Sequence, residues 1–329
     1  MIYLETGSTD PYYNLAFEEI VLSKRLNNDY LILWQNDKTV VIGQNQIAAA
    51  EINHAFIDQH GIRVVRRCTG GGAVYHDLGN LNYSFISDVG KADELIKERF
   101  SSRIVTALQK LGLDATVSGR NDILISGKKV SGTAQRILDK RILYHGTLLF
   151  DSDVDMVTGA LQVDPSKFQS KGIQSVRSRV GNIREYLKED MSLSDFWMYL
   201  KKKLLQDCTP SETLSAEELS AVEELQRSKY CTRNWTFGLS PKYEFSNKQK
   251  WPGGLLEVHL SVEAEQIGEI AFYGDFLSSL PLYPLEQALK GCYFTPEAVT
   301  AILDHFSLPR YFGEITQDEV VETIFQFLR

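Results

Sequence analysis

The chain has 329 residues, of which 43% are hydrophobic and 24% are charged, and its formal net charge is −8 at pH 7. This composition is typical of a globular protein that is long enough for a large domain plus a small one. The negative charge argues against a protein built mainly to bind nucleic acid, because that task leaves a basic footprint. No apolar run approaches the roughly 20 residues that span a bilayer.

The amino terminus and the cysteines bear on the compartment. The segment 1–5 lacks the basic-then-apolar pattern of a signal peptide. The four cysteines lie far apart and form no CxxC pair, which favours reduced thiols. We therefore expect a cytoplasmic protein without membrane or nucleic-acid partners. The six histidines show no metal-ligand spacing, so we expect no metal site made by a cluster of protein side chains.

Short elements joined by tight turns are predicted for the first 150 residues. Helices are predicted over 14–25, with Asn14 as the N-cap, and over 49–59 and 92–111. Strands are predicted over 30–34, 39–42, 62–65, 122–126, 129–132 and 142–150. Because the strands do not alternate regularly with helices, the pattern favours a mixed, largely antiparallel sheet with packed helices over a doubly wound sheet. The predicted fold class is α+β.

The remainder of the chain predicts a charged helical connector and a second, smaller unit. The stretch 192–225 is helical and rich in lysine and glutamate, and 251–254 then interrupts the pattern. Strands are predicted over 256–262 and 267–273, and helices over 285–289, 296–305 and 318–328. We therefore predict a large domain over 1–244 and a small α+β domain over 245–329.

Three successive glycines follow a pair of arginines. Gly70, Gly71 and Gly72 would each weaken a helix or strand by roughly 0.5–1 kcal/mol relative to alanine. They fit either a loop that needs positive φ angles or a concavity whose N–H groups face an anion. The preceding Arg66 and Arg67 carry planar donors suited to phosphate or carboxylate, which favours the anion site. The pattern is neither a Walker loop nor GxGxxG.

Other candidates for chemistry follow further along the chain. Lys128 and Lys129 follow a tight turn at the start of a predicted strand. Their ammonium groups either lie at a fixed point where they can bind a ligand or are solvated at the tip of the turn. His145 begins another strand, and a lone histidine there is more often structural than catalytic. The stretch 171–180 combines cations and hydroxyls and is either a functional loop or a basic surface segment.

Taken together and in order, these segments resemble lipoate–protein ligase A of the bacterial, two-domain type. The signature stretches read NLAFEE from Asn14, RRCTGGGAVYHD from Arg66, and KVSGTA from Lys129. The other matching segments are 34–36, 40–45, 79–80, 118–122, 145–149, 171–180, 234–238 and 253–254. The resemblance covers nearly the whole chain, and its specificity comes from the joint order of the segments.

This resemblance implies a fold and a reaction. The fold is the catalytic domain shared with biotin ligases, followed by an accessory C-terminal domain. In the reaction, lipoate and ATP, with Mg²⁺, form lipoyl-adenylate and release pyrophosphate. A lysine of an apo lipoyl domain then accepts the lipoyl group. The implied acceptors are subunits of 2-oxoacid dehydrogenase complexes and the glycine-cleavage H protein, and the implied quaternary state is a monomer.

The resemblance also implies roles for individual residues, with Lys129 as the catalytic lysine that touches the lipoate carboxylate and the α-phosphate. The implied ATP-binding residues are Arg67, Gly72, Ala73, Val74, Tyr75, Asn121, Asp122 and Lys129, with Asp122 also a candidate for Mg²⁺. The implied lipoate-binding residues are Lys129, Arg67, Gly71, His76, His145 and Gly146. Candidates for the wall of the apolar tunnel are Trp34, Val40, Val74 and Leu148. Candidates for a loop that shields the adenylate are Lys171, Gly172, Arg177 and Arg179.

Three alternatives remain open from the sequence. An ATP-independent lipoyl or octanoyl transferase would need a cysteine thioester, and Cys68 is the one cysteine near the motifs. A non-enzymatic protein that binds lipoate or an acceptor domain would keep the motifs without turnover. A biotin ligase is disfavoured, because RRCTGGGAVYHD stands where that family has a GRGR-type loop.

Overall fold

The computed structural model describes residues 1–89, 95–119, 121–161, 179–205, 211–238, 245–263 and 266–325. Across these ranges no helix has both the length and the apolar character needed to cross a membrane. The strands are β1 Ile2–Glu5, β2 Tyr30–Trp34, β3 Thr39–Ile42, β4 Arg63–Arg66, β5 Val74–His76, β6 Asn80–Asp88, β7 Ala115–Ser118, β8 Asp122–Ile125, β9 Lys128–Leu138, β10 Arg141–Leu149, β11 Phe245–Trp251, β12 Gly254–Glu263 and β13 Gln266–Gly274. The helices are α1 Pro11–Lys24, α2 Ala48–Glu51, α3 His54–His60, α4 Leu95–Gln109, α5 Val154–Ala160, α6 Leu193–Leu204, α7 Ala216–Leu225, α8 Arg233–Phe237, α9 Tyr283–Leu289, α10 Pro296–Leu303, α11 Leu308–Phe312 and α12 Gln317–Phe325.

A seven-stranded mixed sheet forms the centre of the large unit. Its strand order is β1-β2-β6-β10-β9-β8-β7, in which β1 and β2 are parallel and the other neighbours are antiparallel. One core cluster joins this sheet to α4 and α6, through side chains such as Phe85, Phe100 and Phe196. A second cluster joins β1 and β2 to α1, through side chains such as Leu15 and Ile32. The α+β fold predicted from the sequence is confirmed.

A small second sheet carries the glycine-rich segment to the large sheet. Its strand order is β4-β3-β5, with β3 parallel to β4 and antiparallel to β5. The loop between β4 and β5 contains the three glycines. Apolar side chains of β3, α3 and α5 form a separate core beneath this sheet, including Val40, Ile57 and Val157. The loop is therefore anchored at both ends by buried strands.

The last part of the chain packs around its own three-stranded sheet. The antiparallel order is β11-β12-β13, and α9, α10, α11 and α12 contribute to one core with it. The segment after β13 reaches back to the large unit. The backbone N–H of Gly274 donates to Asn45 O at 2.9 Å, and the N–H of Ile137 donates to Ser279 O at 2.7 Å. This C-terminal unit is therefore joined to the large unit by backbone hydrogen bonds.

Several predicted boundaries differ from the observed ones. The first helix begins at Pro11 rather than Asn14, because the Asp10 side chain accepts from Tyr12 N and proline suits the first turn. The helix predicted over 49–59 is two helices, α2 and α3, and the Asn53 side chain caps the second. The strand predicted over 129–132 extends from Lys128 to Leu138. The sequence patterns did not predict β1, β7, β11, α5, α8 or α11.

Candidate functional site

A cavity of about 110 Å³ lies between the large sheet and the glycine-rich loop. Its walls are backbone and small or apolar side chains, with a few polar groups. The lining residues are Leu15, Trp34, Val41, Arg67, Gly71, Gly72, Ala73, Val74, His76, Asn82, Asn121, Lys129, Gly132, Thr133, Ala134, His145, Gly146 and Thr147. Mostly apolar walls with a few placed polar groups are typical of small-molecule sites.

One row of residues across the large sheet sets the long direction of the cavity. Trp34 on β2 pairs with Asn82 on β6, and Asn82 pairs with Thr147 on β10. The Thr147 hydroxyl lies 3.2 Å from the N–H of Gly132 on β9, and Gly132 pairs with Asp122 on β8. Directly opposed residues point to the same face of a sheet, and neighbouring strands lie about 4.8 Å apart. The row from β9 to β2 therefore spans roughly 14 Å over three intervals.

Lys129 occupies one end of this row. Its Nζ lies 2.7 Å from Asp122 Oδ1, and both side chains are about one-third exposed, at 36% and 32%. A β-carbon on Gly132 would stand 3.2 Å from that Nζ, so the lysine side chain lies across the glycine. The N–H of Gly181 donates to Lys129 O at 3.0 Å, which fixes the backbone from the other side. The structure thus places a partly exposed ammonium in the lining of the cavity.

Arg67 holds the glycine loop in place. Its guanidinium is buried and donates to Thr69 Oγ1 at 2.9 Å, Gly70 O at 2.6 Å and Gly72 O at 2.8 Å. Burial lowers the pKa of Arg67 to about 10. Gly71 lies between these contacts with φ at +87°, a conformation that favours glycine. Arg67 lines the cavity, but most of its donors already bond the loop and the neighbouring strand.

The neighbouring Arg66 does not line the cavity, contrary to the prediction that it binds an anion there. It is only 1% exposed, and its donors are used by carbonyl oxygens of two segments. The acceptors are the carbonyl oxygens of Gly43, Gln44, Gln46, Trp235 and Thr236. The prediction that Arg66 offers donors to an anion is therefore wrong. Alternation along β4 turns Arg66 away from the cavity, and it joins the 43–46 loop to α8.

The C-terminal unit also contacts the glycine loop. The N–H of Gly71 donates to Phe276 O at 3.1 Å, and the Asn45 amide donates to Ser278 Oγ at 2.9 Å. A β-carbon on Gly70 would stand 2.7 Å from the backbone nitrogen of Ser278, so the two segments are in close contact. The segment that follows β13 thus supports the outer side of the loop, while Arg67 supports its inner side.

A buried chain of hydrogen bonds links the loop to the helix that covers the sheet. Thr69 Oγ1 lies 2.8 Å from His145 Nε2, and His145 Nδ1 lies 3.1 Å from Glu18 Oε1. An ionised carboxylate can only accept, so Nδ1 carries a hydrogen and the Thr69 hydroxyl donates to Nε2. Ser84 donates to the same Glu18 oxygen, and the Trp34 indole donates to Ser84 Oγ at 2.8 Å. The chain ties Arg67, at the loop, to Trp34, at the far wall.

His76 lies at the Trp34 end of the cavity. The two rings are nearly perpendicular, with centroids 6.2 Å apart. Asn14 Nδ2 donates to Gln35 O at 2.7 Å and to Asn36 Oδ1 at 2.9 Å, which leaves Asn36 Nδ2 facing His76 Nδ1 at 3.1 Å. Burial, together with the nearby Arg67 guanidinium, lowers the pKa of His76 to about 3. The ring is therefore neutral, with its hydrogen on Nε2.

The structure brings together most of the residues singled out from the sequence. Those that line the cavity are Trp34, Arg67, Gly71, Gly72, Ala73, Val74, His76, Asn121, Lys129, His145 and Gly146. Asp122 does not line the cavity, but its carboxylate contacts the ammonium of Lys129, which does. The side chain of Tyr75 packs into the core under the small sheet and does not line the cavity. Val40 and Leu148 also lie in cores, because Val41 and Thr147 are the residues of those strands that face the cavity.

Some of the predicted site residues lie outside this cavity. Lys171, Gly172 and Arg177, predicted for a shielding loop, lie outside the described residues, and Arg179 is exposed next to them. Sequence reasoning missed the buried partners Glu18 and Thr69 and the cavity residues Asn82, Gly132 and Thr147. The available signal for Glu18 was a carboxylate on the apolar face of a predicted helix, beside Phe17 and Ile20.

The described residues offer no cluster of three or more histidine, cysteine or acidic side chains that could hold a metal ion. Cys68 is buried, and burial raises the pKa of its thiol, which disfavours the nucleophilic thiolate. Neither Cys68 nor the other described cysteines, Cys231 and Cys292, line the cavity. The cavity combines apolar walls with the ammonium of Lys129, a combination that suits a small apolar molecule with an anionic end.

Comparison with known proteins gives the family. The family model for the lipoyl protein ligase A/B catalytic domain matches residues 10–205, and the model for the bacterial lipoate protein ligase C-terminus matches residues 240–324. Lipoate–protein ligase 1 of Staphylococcus aureus is 39% identical over 315 residues, which cover 95% of this chain and 96% of that protein. The chain belongs to the lipoate–protein ligase A family.

Two solved structures share the fold. A lipoate–protein ligase A bound with ATP is 30% identical, with a TM-score of 0.63 over 73% of this chain and 98% of that one. The bipartite lipoate protein ligase of Thermoplasma acidophilum, described with its E2 lipoyl domain, is 31% identical. It has a TM-score of 0.65 over 74% of this chain and 98% of the other.

Proposed function

We propose that this protein activates lipoate with ATP and transfers the lipoyl group to a lysine of lipoyl acceptor domains. The observation that carries the proposal is the position of Lys129 at the mouth of a cavity whose other walls are largely apolar. An ammonium beside an enclosed apolar slot suits a substrate with a carboxylate at one end and a hydrocarbon tail. The family membership and an ATP-bound relative support the same reaction.

In the first step, a carboxylate oxygen of lipoate attacks the α-phosphorus of ATP. The bond from that phosphorus to the bridging oxygen breaks, and pyrophosphate leaves. Both reactants are anionic, so a fixed cation is needed where they meet. Lys129 supplies that cation, and Asp122 holds its ammonium at 2.7 Å. Asn121, which donates from its amide to Thr133 O at 3.1 Å, forms the adjoining wall.

In the second step, the neutral ε-amine of the acceptor lysine attacks the carbonyl carbon of lipoyl-adenylate. The bond from that carbon to the phosphate oxygen breaks, AMP leaves, and the attacking nitrogen releases one proton to the solvent. The enclosed cavity excludes water around the tail and holds the carbonyl at the mouth, where the acceptor can approach. Fixing the geometry of two reactants can by itself supply a large part of a rate enhancement.

Mg²⁺ accompanies ATP in this proposal. A magnesium ion at such a site needs only one or two carboxylates in addition to phosphate oxygens. Asp122 is the carboxylate beside Lys129, and its side chain is 32% exposed, so it fits that need. The ion would offset charge on the phosphates when it is bound.

The domain boundary and the acceptor partners are also part of the proposal. We assign a catalytic domain to 1–244 and an accessory domain to 245–329, a division supported by the separate core of the C-terminal unit. The acceptors are lipoyl domains of 2-oxoacid dehydrogenase complexes and the glycine-cleavage H protein. The bipartite archaeal relative is described with an E2 lipoyl domain, which supports the first of these. We propose that the protein acts as a monomer.

The test is a two-stage assay with matched variants. Purified protein receives lipoate, Mg²⁺ and ATP, and pyrophosphate release is followed. An apo lipoyl domain is then added and its intact mass is read. Lys129→Ala abolishes both signals, whereas Lys128→Ala, the neighbouring lysine that does not line the cavity, keeps them.

Two other outcomes would contradict the proposal. Mass gain from an acylated donor protein without ATP would indicate a transferase, and Cys68→Ser would then be the decisive variant. Binding of lipoate without pyrophosphate release or mass gain would indicate a non-enzymatic binding protein.

A further inference from the structure

The Trp34 end of the cavity holds polar hydrogen-bond donors that no atom of the described residues satisfies. His76 Nε2 and Asn82 Nδ2 are both buried, and neither has a partner among the described residues. Both side chains line the cavity. Buried polar groups in proteins are nearly always hydrogen-bonded, so two such atoms in one small cavity need an explanation.

The identity of these atoms as donors follows from their surroundings. His76 is neutral and accepts at Nδ1 from Asn36, so its Nε2 carries the hydrogen. Asn82 accepts at Oδ1 from Asn80 Nδ2 at 2.9 Å, which leaves its own amide nitrogen free to donate. Both groups can therefore bond an acceptor atom on a molecule in the cavity.

These donors lie at a defined distance from Lys129. Asn82 is on β6 and Lys129 is on β9, with β10 between them. Two strand intervals correspond to roughly 9.5 Å. That length is comparable with an extended eight-carbon acyl chain, so a carboxylate at Lys129 would place the other end of the chain beside Asn82, Trp34 and His76.

We propose that His76 and Asn82 select an acyl tail that ends in a sulfur-containing ring over a plain hydrocarbon tail of the same length. This inference rests on the proposed function, since it takes the carboxylate of the substrate to lie at Lys129. The dithiolane ring of lipoate carries two sulfur atoms, which are weak hydrogen-bond acceptors and pack well against aromatic rings. Trp34 supplies the aromatic ring at this end, 6.2 Å from the His76 ring.

The physical basis of selection is the cost of leaving the donors unpaired. A cavity of this size admits water, which would bond the two donors in the free protein. Any tail that fills the cavity displaces that water. A displaced water whose hydrogen bonds are not replaced lowers the affinity of the ligand that displaced it. A methyl terminus replaces none of these bonds, whereas ring sulfur atoms replace them in part.

The experiment compares three acids in ATP-dependent pyrophosphate release: lipoate, octanoate and 5-cyclopentylpentanoate. The last has a five-membered ring without sulfur, so it separates ring shape from sulfur chemistry. In the wild type we expect kcat/KM for lipoate to exceed that for both sulfur-free acids by roughly tenfold, since each unpaired buried donor costs measurable binding.

Asn82→Leu, which keeps the size of the side chain, should reduce this preference several-fold by removing one donor. His76→Phe should act in the same direction. Thr147→Val is the matched control, because it changes a polar residue of the same row next to Lys129 and should alter all three acids to the same extent.

The outcomes separate the two proposals. Equal use of lipoate and 5-cyclopentylpentanoate by the wild type would overturn the inference, and this measurement requires no variant to fold. A preference that survives unchanged in both Asn82→Leu and His76→Phe would overturn it as well. Absence of ATP-dependent pyrophosphate release with every acid would instead contradict the proposed function.

Discussion

The side chain of Lys129 lies across Gly132, with Nζ 3.2 Å and Cε 3.3 Å from the place where a β-carbon on that glycine would stand. The lysine reaches Asp122 by passing over a position without a side chain. The absence of a β-carbon at residue 132 thus determines where the ammonium lies.

We predict that Gly132→Ala lowers kcat for adenylate formation by up to about tenfold, because the Lys129 ammonium must move by a few tenths of an ångström and a misplacement of about 1 Å can cost about 100-fold. The atoms that would clash are the end of a flexible side chain, so the fold should tolerate the change. Pyrophosphate release gives the rate, and thermal unfolding gives the stability. A fall in the midpoint of unfolding together with an unchanged kcat would contradict this account.

A second prediction concerns Glu18, a positioning residue that is linked to the cavity through His145 and, by way of Ser84, through Trp34. Glu18→Gln replaces an acceptor with a group that can also donate, so His145 no longer needs its hydrogen on Nδ1. The Thr69 hydroxyl then loses its acceptor, and the loop that it supports shifts. We expect KM for lipoate to rise by roughly tenfold.

The KM for ATP should change less, because Arg67 still bonds the carbonyl oxygens of Gly70 and Gly72 and so holds that part of the glycine loop without Thr69. Steady-state kinetics with each substrate varied in turn provides the measurement. Equal rises in both KM values would indicate general damage to the fold. Glu18→Asp, which keeps the charge on a shorter side chain, should recover part of the loss.

The third prediction concerns stability alone. Arg66→Lys replaces a planar group that bonds five carbonyl oxygens with one ammonium, which cannot reach both the 43–46 loop and α8. We expect a loss of at least about 3 kcal/mol in the free energy of unfolding, since hydrogen bonds to charged groups contribute about 1.5–3 kcal/mol each.

Arg63→Lys is the matched control on the same strand, because Arg63 donates to Asp37 O at 3.0 Å from a half-buried position. The free energy of unfolding of Arg63→Lys should fall by less than about 1.5 kcal/mol. Urea denaturation of both variants measures the two losses in the free energy of unfolding. Similar losses for the two would show that Arg66 is not the residue that joins the segments.

The fourth prediction is a pH dependence within the C-terminal unit. Burial raises the pKa of Glu286 from 4.5 to about 7, and its Oε1 accepts from Phe272 N at 3.0 Å. The folded state therefore binds this proton more tightly than the unfolded state. The stabilisation is complete below about pH 4.5 and is lost as the pH rises through about 7.

Glu286→Gln stays neutral at every pH and keeps an acceptor for Phe272. The variant should match the wild type in stability near pH 5 and exceed it at pH 8 by up to about 3 kcal/mol. The quantity to follow is the difference in the free energy of unfolding between the variant and the wild type at each pH. The contributions of other titrating groups, such as His76, cancel in that difference. A difference that does not change from pH 5 to pH 8 would contradict the raised pKa.

Motif order and local periodicity were enough to predict the α+β class, most elements and the main polar residues of the cavity. Arg67, the glycines and Lys129 stand out because their types and spacing are unusual at the level of a few neighbours. Short-range signals of this kind include caps, turns and alternation, all of which act within about five residues. The sequence by itself thus determined the family resemblance and the candidate lysine.

Only the tertiary structure decided which of two adjacent residues meets the cavity. Arg66 and Arg67 are alike in sequence, yet one bonds carbonyl oxygens of two other segments and the other holds the glycine loop. The partners of Glu18 and the pairing of Trp34 with Asn82 likewise join residues far apart in the chain. The register of strands sets these contacts, and a shift of one residue turns every side chain to the other face of a sheet. No local pattern specifies that register, because it depends on how the whole sheet packs.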